Sequence, residues 1–256
     1  VFLANYYGSK LYYSDTAVAD GNGRVVFSRA KGYKAGVYAV VIPGPKYFEL
    51  LVNEPSLQME TDKDDLMGKL VVKKSKENQV FIDYVRFINE KRMRADEVNK
   101  EREATEDPAR KAALKEQLVG FENEIKAYQK ALVEKNPGTL VGLIVRMSIA
   151  PERPEIRRAD GTIDSSATYY DYRAHFWDNT DLTDERILRT PVFQNKFDEY
   201  MGKVVPQVPD TINKCADYLI KRMDHGEELF KFAVHTITYK YETSDIMGMD
   251  AVFVHM

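Results

Sequence analysis

Four histidines, one cysteine and two groups of carboxylates are the side chains in this 256-residue sequence best equipped for chemistry. His175, His225, His235 and His255 form no HExxH, HxH or HxxxH pattern, so the two-histidine helix face that holds zinc is missing and no metal is expected. His225 precedes Gly226, where an imidazole interacts with the end of a helix. Asp62, Asp64 and Asp65 lack the glycine and the bidentate glutamate of a calcium loop. Asp178, Asp181, Asp184 and Glu185 fall between helical stretches, where acids cap helix starts. An acid–base centre built on His175, Asp178 and Asp181 is the weakest of three functional readings, because capping explains the same acids. Cys215 lies on the apolar stripe of Ile212, Ala216, Leu219 and Ile220, a packing position more than a reactive one. There is no GxSxG elbow and no glycine-rich phosphate loop, so no catalytic residue and no cofactor is assigned.

Aromatic residues make the more distinctive pattern. Tyr6-Tyr7 and Tyr12-Tyr13 sit in strand-like runs, where one of each adjacent pair must face away from the core. Tyr169, Tyr170 and Tyr172 lead into His175, Phe176, Trp177 and Asp178. Tyrosine and tryptophan are favoured at protein interfaces and on sugar-stacking surfaces. The candidate binding residues are therefore Tyr169, Tyr170, Tyr172, His175, Trp177 and Asp178, set against the plainer alternative that these rings cement two parts of the chain together.

The elements that must carry these residues change character along the chain. Runs at 2–7, 10–19, 24–27, 37–42, 47–52, 57–61 and 66–72 are rich in β-branched and aromatic residues. Asp20-Gly21-Asn22-Gly23 supplies turn positions between the second and third, and Pro43-Gly44-Pro45 breaks the fourth. This spacing predicts an antiparallel β-sandwich over 1–74. At Ser75 the period shifts towards three and a half. Ser75 caps a helix carrying Phe81, Tyr84, Ile88, Ala95 and Val98 on one face and running to about Thr105. Asp107-Pro108 opens a second helix, with Leu114, Leu118, Phe121, Ile125, Tyr128 and Leu132 at alternating spacings of four and three. An antiparallel helical hairpin over 75–136 follows, with 13 basic and 13 acidic residues between Lys76 and Lys135. Glu90/Arg94, Asp96/Lys100 and Glu122/Lys126 pair in the stabilising order.

A helical domain over 137–256 is expected beyond it, starting at Asn136-Pro137. It has a long loop at 151–167 and helices near 169–177, 191–204, 210–223, 227–241 and from 245 onwards. The fold class is α+β. With 37 basic and 40 acidic residues the net charge is −3, which gives nucleic acid or an anionic surface no global attraction. No apolar run approaches the ~20 residues of a membrane span. The chain opens at Val1 and stops at Met256 inside apolar runs, which reads as a piece of a longer product.

Several stretches resemble a known family. The run from Gly36 to Pro43, with Lys46-Tyr47-Phe48-Glu49-Leu50-Leu51-Val52, resembles the N-terminal β-domain of thioredoxin-like thiol:disulfide interchange lipoproteins of Gram-negative gut bacteria. His175-Phe176-Trp177-Asp178-Asn179, Leu188-Arg189-Thr190-Pro191-Val192-Phe193 and Met247-Gly248-Met249-Asp250-Ala251-Val252 are similar to that family's middle region. The resemblance implies an extracytoplasmic, periplasmic or outer-membrane setting, with any membrane contact through a lipid anchor outside this chain. It also implies a thioredoxin-like domain with a CxxC pair beyond Met256, and so a non-catalytic accessory or recognition module here. The expected partner is that domain or an envelope protein or peptide, in a cleft lined by the 169–178 segment. The alternative is a carbohydrate- or peptide-binding module that uses its exposed aromatics.

Overall fold

The computed structural model describes residues 1–44, 46–152, 154–224 and 227–256. Pro45 of the expected breaker, and His225-Gly226 at the expected helix end, lie outside the described residues. The chain divides into two compact units, Val1–Ala4 with Tyr13–Ile149, and Asn5–Tyr12 with Ala150–Met256. The architecture is α+β.

In the first unit, strands β1 (Phe2–Tyr7), β2 (Lys10–Thr16), β3 (Gly36–Ile42) and β4 (Lys46–Val52) form a sheet in the order β2-β1-β3-β4, with the tip of the β1–β2 hairpin counted in the second unit. Strands β3 and β4 pair antiparallel, with Gly36 opposite Val52 and Ile42 opposite Lys46. Strands β5 (Gln58–Glu60) and β6 (Val71–Lys74) make a separate antiparallel pair. The expected strand at 24–27 does not form. Asp20 instead accepts hydrogen bonds from the amides of Asn22 and Arg24, each at 2.9 Å, so the turn consumes donors that a ladder would need. Val26 beyond it is exposed.

A buried side chain of the first helix bonds to the backbone of the sheet. Asn78 is buried in α1 (Lys76–Ala104), where its amide accepts from the Leu51 amide at 2.7 Å and donates to the Leu51 carbonyl at 2.8 Å. A side-chain amide thus does what a further strand would do at this edge of β4. Ser75 caps α1 as expected by accepting from the Asn78 amide, and Asp107 caps α2 (Pro108–Lys135).

The two long helices pack through the seam expected of them. Leu114 and Leu132 are buried, and Tyr128 stacks on Phe87 at 4.2 Å between ring centres. The next helix, α3 (Leu140–Ser148), begins later than expected. Asn136-Pro137-Gly138 forms a turn, and Thr139 rather than Asn136 supplies the cap, accepting from the Gly142 amide. Glu77 of α1 accepts from the amides of Leu140 and Val141, which places α3 against the hairpin.

The second unit contains α4 (Ser165–His175), α5 (Pro191–Glu199), α6 (Pro209–Ile220), α7 (Glu228–Glu242) and α8 (Asp250–His255). A 3₁₀ turn at Glu185–Arg189 was not expected from the sequence, and a π turn at Tyr200–Val204 replaces the last turn of the expected 191–204 helix. Phe176, Trp177, Phe193, Phe197 and Tyr200 lie at its centre, with ring centres between 5.1 and 6.3 Å apart.

Candidate functional site

Helix α4 carries most of the residues with recognition chemistry, and the loop before it is built to hold its first turn. Asp164 caps the helix by accepting from the Ala167 amide at 3.0 Å. The preceding 154–164 segment folds back through a bridge between Arg157 and Ile163, turning at Gly161 with φ +82°. The Ile156 amide then donates to the Thr168 hydroxyl, which ties that fold-back to the helix.

The helix divides the six candidate residues by its own periodicity. Tyr172 is buried on its inner side, and Trp177 just beyond the helix is 0% exposed. A fully enclosed indole has no face to offer a sugar or a peptide, so Trp177 is a core residue and not part of a surface platform. The outer side carries Tyr170, 58% exposed, with the Arg173 guanidinium 5.2 Å from its ring centre. Tyr169 is half-buried. Its ring lies 5.4 Å from that of Tyr170, and its hydroxyl donates to the Val204 carbonyl at 2.6 Å. Arg173 was not among the expected residues, although its placement three and four residues after two tyrosines on one helix was a readable signal.

His175 stands exposed at the end of α4. Its Nδ1 is 2.7 Å from Asp178, and its Nε2 is 3.7 Å from Asp171. The Asp178 hydrogen bond, then its charge, raise the imidazole above its ordinary pKa, and the helix C-terminus favours the same protonated form. Both ring nitrogens therefore face carboxylates, and this cluster holds a proton and a helix end together. Asp184 caps the 3₁₀ turn as expected by accepting from the Arg186 amide at 3.0 Å, whereas Asp181 accepts from the Thr183 amide at 3.0 Å within a turn and caps no helix. Among the described residues, no group of His, Cys, Asp and Glu is arranged to hold a metal ion. Cys215 is buried, beside the Tyr200 hydroxyl whose pKa is raised by burial and by that thiol.

A second constellation went unread in the sequence. The tip of the β1–β2 hairpin sits on the helices of its own unit: the Gly8 amide donates to the Leu188 carbonyl at 2.8 Å, and the Ser9 amide to Gln194 Oε1 at 2.6 Å. Gly8 has φ +61°, a conformation that favours glycine, and a Cβ there would displace the Gln194 side chain, whose Oε1 would lie 2.1 Å away. Tyr7 packs edge-on to Phe232, and burial followed by the Glu228 charge raises its pKa. Beneath lies an ion pair between the buried Arg189 and the half-buried Glu228, with Arg189 also donating to the Glu185 carbonyl at 3.1 Å. Glu185 accepts from the Leu229 amide at the start of α7, and burial raises its pKa. Lys196 is buried between α5 and the core, 5.2 Å from the Phe176 ring centre, and burial pushes its pKa down to about 8. Arg189 and Glu228 lie 39 residues apart, so spacing within one segment could not pair them.

Residues 150–256 match a family model described as a domain of unknown function, DUF5106. No curated protein matches the chain. No solved structure matches it either.

Proposed function

We propose that this chain is a non-catalytic extracytoplasmic recognition module, with a sandwich-like β head, and that the outer face of α4 is the surface that meets a polypeptide partner. The Tyr170–Arg173 pair is the observation that carries this reading. Tyrosine and arginine are the side chains most enriched at energetic centres of interfaces. They stand here on a helix whose inner side is locked by Tyr172, so little freedom is lost when they are engaged. The resemblance to thioredoxin-like lipoproteins supplies the partner: a thiol–disulfide oxidoreductase domain of the same protein, or an envelope protein or peptide.

Two tests bear on it. Reading the coding sequence beyond Met256 for a WCxxC-like motif within the next hundred or so codons tests the parent architecture, and a stop codon there removes that part of the reading. A photo-crosslinker at position 170 then tests the surface: it should join the partner domain, and Tyr170→Ala with Arg173→Ala should weaken binding at least tenfold. Unchanged affinity in that double variant rules out α4. The second reading, a carbohydrate-binding module, draws on the exposed ring of Tyr170. Glycan binding lost in Tyr170→Ala would favour it over a protein partner.

A further inference from the structure

The turn between α7 and α8 exposes apolar side chains from a rigid base. Helix α7 ends at Thr243, whose amide bonds to the Tyr239 carbonyl, and the Ser244 hydroxyl accepts from the Ile246 amide at 3.3 Å. Gly248, with φ +86°, reverses the chain, and the Met249 amide returns to the Ile246 carbonyl at 3.2 Å. Met249 and Val252 plug into the core immediately afterwards. A turn anchored this way has no packing need to present large apolar groups outward. Yet Met247 is 99% exposed, and Ile246, Phe253 and Val254 are exposed beside it.

Ile246, Met247 and Phe253 border an open depression of about 410 Å³. Ile246, Met247 and Phe253 supply its apolar lining, while Glu242, Asp245 and Asp250 supply its charge, and no base among the described residues lines it. Exposed apolar patches with a polar rim mark interaction sites, and methionine suits surfaces that must adapt to a partner's shape. The all-acidic rim repels an anionic bilayer and attracts cationic side chains.

We infer that this depression docks a basic amphipathic segment of another polypeptide, with apolar side chains seated on Ile246 and Met247 and Lys or Arg side chains at the acidic rim. The surface is separate from α4 and stands whether or not the α4 reading does. Complementary charge sets the sign of the partner and the apolar floor sets its amphipathic form. The α7–α8 turn is thus a second binding surface on this unit.

The test uses a synthetic 14-residue amphipathic peptide of leucine and lysine, a matched leucine–glutamate peptide, and phosphatidylglycerol vesicles as probes. The ¹³C-methyl methionine spectrum of the whole chain is followed during each titration. The expected result is a shift of the Met247 methyl with the lysine peptide alone. Binding should fall at least tenfold in Met247→Asp and in the Glu242→Lys, Asp245→Lys double variant. Because Met247 is fully exposed, Met247→Asp should keep the wild-type melting temperature, so lost binding cannot be blamed on misfolding. A Met247 methyl that does not move, equal affinity in both variants, or preference for the vesicles over the lysine peptide would each overturn the proposal.

Discussion

The helical hairpin and the helical unit over 150–256 are both mainly α-helical, and they treat charge in opposite ways. In the hairpin, Glu90 pairs with Arg94 at 2.8 Å and Arg110 Nε with Glu101 at 2.7 Å, outside a seam of leucines and aromatic rings. Such pairs stay near water, and each is worth ~0–1 kcal/mol. The second unit buries Arg189 and Lys196 among aromatic rings and carbonyls. Removing charge from water is costly unless partners are in place, so this unit is specified by its polar contacts as much as by its apolar ones. One region is held by a repeating pattern, the other by particular neighbours.

The largest effect that sharpens this contrast belongs to the aromatic core. Trp177→Ala should lower the unfolding free energy by about 3–5 kcal/mol in a urea titration. A loss below about 1 kcal/mol would mean the rings around it are not a packed centre. In the hairpin, Leu114→Ala should cost about 2–4 kcal/mol, while Glu90→Ala should cost no more than about 0.5 kcal/mol. Equal costs for the two would erase the distinction between seam and surface.

Lys196 gives a pH signature. Its folded pKa of about 8 lies below its ordinary value of 10.5, so between these pH values the unfolded chain holds more protons than the folded one. Stability should therefore rise from about pH 8 towards 10, by on the order of 1–2 kcal/mol, and Lys196→Met should flatten that rise. A wild-type profile that falls across this window would break the assignment of a desolvated amine. The smallest effect sits at His175. Its pKa is raised by Asp178, so its contribution to stability is complete below the ordinary histidine value and is lost as pH climbs through the folded value. Asp178→Asn should move the imidazole titration downward by NMR while leaving the melting temperature at pH 8 nearly unchanged.

Legibility followed the same division. The caps at Ser75, Asp107 and Asp184, and the seam from Leu114 to Leu132, were readable because each depends on residues within a few positions of one another. The 24–27 segment misled because β-branched composition describes a surface able to join a sheet without naming a neighbour. In the candidate surface, Tyr170 and His175 stand exposed, whereas Trp177 has the same local spacing and lies in the core. An aromatic residue at a helix end reads identically whether solvent or another helix covers it.

By itself the sequence determined the α+β class, the long hairpin and the neutrality of its surface, since these follow from short-range periodicity and from counting charges. Only the tertiary structure decided that Gly8 meets Leu188, that Arg189 meets Glu228 and that Trp177 is enclosed. The reason is distance along the chain. Burial and ion pairing depend on which segments meet after folding, and no spacing within one segment encodes the identity of a partner 39 residues away.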